Sequence, residues 1–200
     1  MKKGALYSVL FMMVMTTIFT FLLAAVNQNT LAVIRNNQMI KNQKKILYAF
    51  AIPYRESMTA PQINELYHQH IKESKNENLT IYEGYMNDQL IGYAIAIEGP
   101  GLWGNIRGVV AINDAYDTIL GINFLSHSET PGLGGRIDED WFKEQFRNIK
   151  IRATPPYVIY RPSPDGTVDA ISGATLTSKA VLAIINKELT VFFKAMEGRK

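Results

Sequence analysis

The sequence predicts an α+β protein in which a single N-terminal transmembrane helix leads into an antiparallel-sheet domain with a C-terminal helix. Three observations carry this. Residues 5–26 are an apolar run without a charged side chain. From residue 79 to residue 126 apolar side chains recur at alternate positions between turn residues, the period of a strand. Leu182, Ile185, Leu189, Phe192 and Met196 then follow spacings of three and four, the stripe of an amphipathic helix. A meander of strands with helices before, within and after it defines the class.

The first element is the apolar run. No charge occurs from residue 4 to residue 34, and the most apolar part, residues 5–26, is 22 residues long. A bilayer core needs about 20 helical residues. A secretory signal is the rival reading, but its apolar region runs about 7–15 residues and ends in a small-x-small cleavage site. LLAAVNQ is a poor cleavage site. A buried soluble helix is the third reading, and a retained anchor over residues 1–26 is the one adopted. Lys2 and Lys3 favour a cytoplasmic N-terminus, whereas Arg35, Lys41, Lys44 and Lys45 pull the other way.

Residues 27–56 read as a helix leaving the membrane and a stalk, with Leu31, Ile34, Ile46, Leu47 and Phe50 set among Asn, Gln and Lys. The domain follows over residues 57–200. Thr59 with Pro61 marks a helix start, continued through INELYHQHIKESK. Ile81, Glu83 and Tyr85, then Asn87-Asp88, then Ile91, Tyr93, Ile95 and Ile97 make a hairpin. IRGVVAIN and TILGINFLSHS are two more strands. Residues 138–147 suit a short helix capped by Asp138, with Trp141, Phe142 and Phe146 facing inward. PPYVIYR reads as a further strand before the closing helix.

Composition excludes several chemistries. There is no cysteine, hence no disulfide, thiolate metal site or cysteine nucleophile. The three histidines, His68, His70 and His127, do not make a metal-ligand pattern, and His68 and His70 read as solvated helix surface. The net charge is +3, and no basic run interleaved with aromatics suggests nucleic acid.

Three glycine-rich loops remain: GPGLWGN (99–105), ETPGLGGR (129–136) and DAISGATLTS (169–178). Each is turn chemistry at the least. The second lacks the Lys-Ser/Thr of a phosphate loop and the G-x-G-x-x-G spacing of a dinucleotide fingerprint. The third opens the C-terminal helix, where Ser172 or Thr175 reads as the cap and free N–H groups favour an anion. Gly173 and Ala174 let a bulky group approach the Thr175 hydroxyl. Hydrolysis by Thr175 would need a base within reach; Lys179 is on its helix face and no histidine is near.

Together the loops resemble a family. D-x-x-S-G-A-T at 169–175 is similar to the flavinylation motif of the FMN-binding domain shared by the G subunit of Rnf ion-translocating complexes and the C subunit of the sodium-pumping NADH:quinone reductase. E-T-P-G-L-G at 129–134 is similar to the family's second signature. GLW at 101–103 resembles the reductase member, and the short stalk resembles the Rnf member. The resemblance covers the anchor and most of residues 80–190. It implies FMN, attached covalently by a flavin transferase as a phosphoester to Thr175, with Asp169 and Ser172 as motif residues. It also implies a pocket formed with Gly173, Ala174, Leu176, Glu129, Thr130, Gly132 and Leu133, with Trp103 as a candidate wall. The implied setting is a membrane redox complex with other subunits, the N-terminus cytoplasmic and the flavin domain outside. A stand-alone anchored flavin carrier and a non-redox binding module are the alternatives.

Overall fold

The computed structural model describes residues 2–76 and 79–197; Met1 of the expected anchor and residues 77–78 and 198–200 of the expected domain lie outside them. The elements run α1 (Lys2–Ala49), α2 (Ala60–His70), β1 (Ile71–Asn76), β2 (Leu79–Met86), β3 (Gln89–Pro100), β4 (Asn105–Asn113), β5 (Thr118–Ser126), α3 (Asp140–Glu144), β6 (Ile149–Lys150) and α4 (Thr175–Glu197). The chain divides into two compact units, Met1–Lys41 and Asn42–Lys200.

The first unit is helix. From Gly4 onward α1 is long and apolar enough to cross a membrane. Leu6, Phe11, Phe19, Leu23 and Val26 lie exposed on it, a surface suited to hydrocarbon rather than water. Three of its hydroxyls are satisfied internally: Ser8, Thr16 and Thr17 donate to the carbonyls of Gly4, Met12 and Met13 at 3.1, 2.7 and 2.8 Å. A spanning helix requires this, because the bilayer core offers no water as a partner.

In the second unit the six strands lie in sequence order and each pairs antiparallel with the next. Asn87 and Asp88 take φ of 51° and 61°, the left-handed pair of a type I′ hairpin turn. Both faces of the sheet are covered. Ile95, Ile97, Val110, Ile112, Ile122 and Phe124 point to a core shared with Phe142, Phe146 and the α4 residues Ile185, Leu189 and Phe192. Ala94, Val109 and Ala111, one position out of phase, meet Ile46 and Leu47 from the end of α1, Phe50 just past it, and Tyr67 from α2. Arg147 closes this side: its Nη1 donates to the carbonyls of Tyr48, Ala49 and Leu120 at 3.1, 3.2 and 2.8 Å. The last carbonyls of a helix need such partners.

Four local readings change. The helix at Thr59 forms, with the Thr59 N–H donating to Gln62 Oε1 at 2.8 Å, but it ends at His70. Residues 71–76 are instead the edge strand β1, paired with β2. The helix expected over 138–147 is the five-residue α3 with Glu139 before it, because Asp138 faces His127 at 3.0 Å. Trp141 does not face inward: it is exposed, lies against the Arg136 guanidinium at 5.1 Å and donates to Glu139. PPYVIYR is not a strand. Asn186 of α4 takes both backbone groups of Val158, at 3.0 Å each, leaving only a single bridge from Tyr160 to Val168.

Candidate functional site

The three glycine loops converge. β3 turns into β4 through residues 101–104, β5 runs out into residues 127–135, and residues 169–174 lead into α4. Between them lies a cavity of about 410 Å³. Leu102 and Trp103 line it from the first loop; Glu129, Thr130, Leu133 and Gly134 from the second; Gly173, Ala174, Thr175, Leu176 and Thr177 from the third. A second cavity, about 420 Å³, is lined by Tyr116, Tyr157, Phe193 and Met196 among others. Volume does not distinguish the two; the convergence of the three loops does.

Glu129 ties the first cavity together. It is 5% exposed. Its Oε1 accepts from the N–H groups of Leu102 and Trp103 at 2.8 and 3.1 Å, and its Oε2 accepts from the Thr177 hydroxyl at 2.5 Å. Burial pushes the Glu129 carboxyl up, but the Thr177 hydroxyl and the Trp103 and Leu102 N–H groups outweigh it and hold the group below its ordinary value. The glycines beside it leave room: a Cβ on Gly101 would stand 2.5 Å from Oε1, and one on Gly134 2.6 Å from Oε2.

The start of α4 supplies a different chemistry. Thr175 is the first helical residue, so neither Ser172 nor Thr175 is the cap that the sequence suggested. The loop is instead bound back by Ser178, whose Oγ accepts from the Ile171 N–H at 2.9 Å and donates to the Ala174 carbonyl at 3.0 Å. The N–H groups of Thr175, Leu176 and Thr177 therefore point out of the helix start without a backbone acceptor among the described residues. Thr175 is exposed and its hydroxyl has no hydrogen-bond partner among the described residues, whereas Thr177 is 1% exposed. Leu102, Trp103, Leu133 and Leu176 stand half-exposed or more around the cavity, an apolar wall open to a flat ring.

Of the residues singled out in the sequence, Thr175, Gly173, Ala174, Leu176, Glu129, Thr130, Leu133 and Trp103 line the cavity. Gly132, Ser172 and Asp169 do not. Gly132 turns the second loop at φ 75°, and Ser172 is an exposed turn residue. Asp169 is held by Arg161 through two bonds of 2.6 and 2.7 Å, which lower its carboxyl below the ordinary value. Its N–H donates to Gln145 Oε1 at 2.7 Å. Leu102, Gly134 and Thr177 were not singled out as site residues. All three sit inside the quoted loops, and the signal for Thr177 was a second threonine two residues past the first.

An antiparallel α+β domain whose glycine loops meet at a helix start over an open apolar cavity is the architecture of a cofactor-binding domain. Residues 101–190 match the family model of the FMN-binding domain, and this part of the chain belongs to that family. The chain is 31% identical to the G subunit of the ion-translocating oxidoreductase complex of Methanosarcina acetivorans over 129 residues, 64% of this chain and 65% of that one. It is 32% identical to the C subunit of the Na(+)-translocating NADH-quinone reductase of Vibrio anguillarum over 108 residues, 50% of this chain and 42% of that one. The matched region thus spans less than two thirds of each relative. The crystal structure of the C subunit of the Na(+)-translocating NADH-quinone reductase from Parabacteroides distasonis shares the fold, with a TM-score of 0.69 at 24% identity over 81% of this chain and 94% of that one.

Proposed function

We propose that this chain is the covalent-FMN electron-transfer subunit of a membrane-bound, ion-translocating oxidoreductase complex, equivalent to the Rnf G subunit or the NADH-quinone reductase C subunit. One observation carries the assignment of the attachment site. Thr175 presents a free hydroxyl at the cavity, while the Thr177 hydroxyl is buried and bound to Glu129. In the attachment reaction a flavin transferase joins the Thr175 oxygen to the flavin-side phosphorus of FAD, and AMP leaves with the hydroxyl proton.

The residues fit such a group. The free N–H groups of Thr175, Leu176 and Thr177 suit a phosphate at the positive end of α4. Leu102, Trp103, Leu133 and Leu176 offer apolar contact to a ring and exclude water from it. Bound FMN supplies reversible uptake and release of electrons, which no side chain here provides. Asp169 and Ser172 belong to the segment that the transferase reads. With residues 4–34 uncharged, α1 acts as an anchor and leaves the Na+ or H+ path to other subunits. The N-terminus is cytoplasmic and the flavin domain extracytoplasmic. The alternative, a stand-alone anchored flavin carrier without ion pumping, has the same site and differs only in its neighbours.

The test is intact mass and in-gel fluorescence after coexpression with a flavin transferase. The wild-type chain gains about 438 Da, the mass of FMN less one water. Thr175→Val removes both the mass and the band. A fluorescent band surviving in Thr175→Val rules out this attachment site, and one lost only in Thr177→Val moves it by two residues.

A further inference from the structure

We infer that Glu129 is the positioning residue of the cavity, holding the first loop and the start of α4 in the arrangement that receives the flavin, and that the Thr177 hydroxyl serves Glu129 rather than the cofactor. This rests on the reading of the cavity as a flavin site. Among the described residues, no hydrogen bond runs directly between residues 99–105 and residues 169–178; the connection passes through the Glu129 carboxylate. Three of its roughly four lone-pair positions are taken by protein donors. Gly101 and Gly134 flank it because any side chain there would occupy its space.

The bond to Thr177 also orients Thr175. Residues two apart on a helix point in different directions. With Thr177 drawn inward to Glu129, Thr175 two positions earlier is turned out, and it is the exposed one of the pair. The two threonines thus have separate tasks: one takes the flavin, and the other fixes the turn that presents it.

The test uses the full-length chain in detergent, carrying Trp141→Phe so that Trp103 is its only tryptophan. Two readouts are taken: the fluorescence anisotropy of Trp103 before any flavin is added, and the rate of flavin attachment by transferase and FAD. Glu129→Ala releases the Leu102 and Trp103 N–H groups, so anisotropy falls and attachment slows by about a hundredfold, the scale of an ångström misplacement. Glu129→Gln keeps the Oε1 acceptor, so anisotropy stays and attachment exceeds that of Glu129→Ala by about tenfold. Thr177→Ser behaves as wild type. Thr177→Val leaves Trp103 ordered and slows attachment, and it carries the test should Glu129→Ala fail to fold. Wild-type anisotropy and attachment in Glu129→Ala would overturn the inference. So would a Glu129→Gln protein as impaired as Glu129→Ala, since charge rather than placement would then matter. A wild-type chain that takes no flavin, but whose Trp103 responds in these ways, sinks the flavin reading and leaves the strut standing.

Discussion

Replacing Gly134 with alanine puts a methyl group against the bond on which the cavity depends. The new Cβ would press on the Thr177 hydroxyl and stand 2.6 Å from Glu129 Oε2 and 3.1 Å from Glu129 Cβ. Neither oxygen can retreat without stretching the bond between them. Overpacking a filled site costs about 1–3 kcal/mol. Losing a hydrogen bond to a charged group costs about 1.5–3 kcal/mol. The sum is about 2.5–6 kcal/mol, which at about 2–4 °C per kcal/mol lowers the melting temperature by about 5–24 °C. Gly132→Ala is the internal control. Nothing lies within 4 Å of its added Cβ, but its φ of 75° is left-handed. That strain costs about 1–2 kcal/mol. Thermal melts of the two purified variants, followed by near-ultraviolet circular dichroism, give the comparison. A Gly134→Ala drop no larger than that of Gly132→Ala refutes the packing of the strut.

Three further outcomes are expected. Phe50→Ala, which empties a fully buried ring site between the end of α1 and the sheet, destabilises by about 3–5 kcal/mol in denaturant titration. Because Glu129 is held below the ordinary 4.5, its contribution is present above that pH and lost as pH falls through the lower folded value; melting temperature between pH 5 and pH 3 therefore drops further in wild type than in Glu129→Gln. Exchanging the partners, Arg161→Asp with Asp169→Arg, recovers flavin attachment lost in either single variant, because the pair holds the loop; a band that stays dark shows that the Asp169 carboxylate itself is read.

The central strands, the Asn87-Asp88 turn and α4 were legible because each repeats a period that one buried face enforces. Residues 71–76 were not. IKESKN has no apolar alternation, and an edge strand takes its stability from the ladder to β2 rather than from its own side chains. PPYVIYR has the composition of a strand, yet the side chain of a helix residue, Asn186, satisfies Val158 in place of a neighbouring strand. In the site, the loops were visible as glycine clusters, and Thr175 as a hydroxyl beside them. The role of Glu129 was not, because 27 positions separate it from Leu102 and 48 from Thr177 along the chain. Such a connection leaves no local pattern, and proximity in space alone reveals it.

The order of the sheet has a kinetic consequence. From β2 to β5 every strand pairs with its sequence neighbour across a loop of two to four residues, so this part of the meander can zip with a small closure entropy at each turn. The Glu129–Thr177 bond closes a far longer loop and needs α4, the last element, to be in place. Contact order therefore predicts that strands β2 to β5 form ahead of the cavity. On the proposed reading, Thr175 becomes presentable only once α4 has docked, so flavin attachment would follow the folding of the domain.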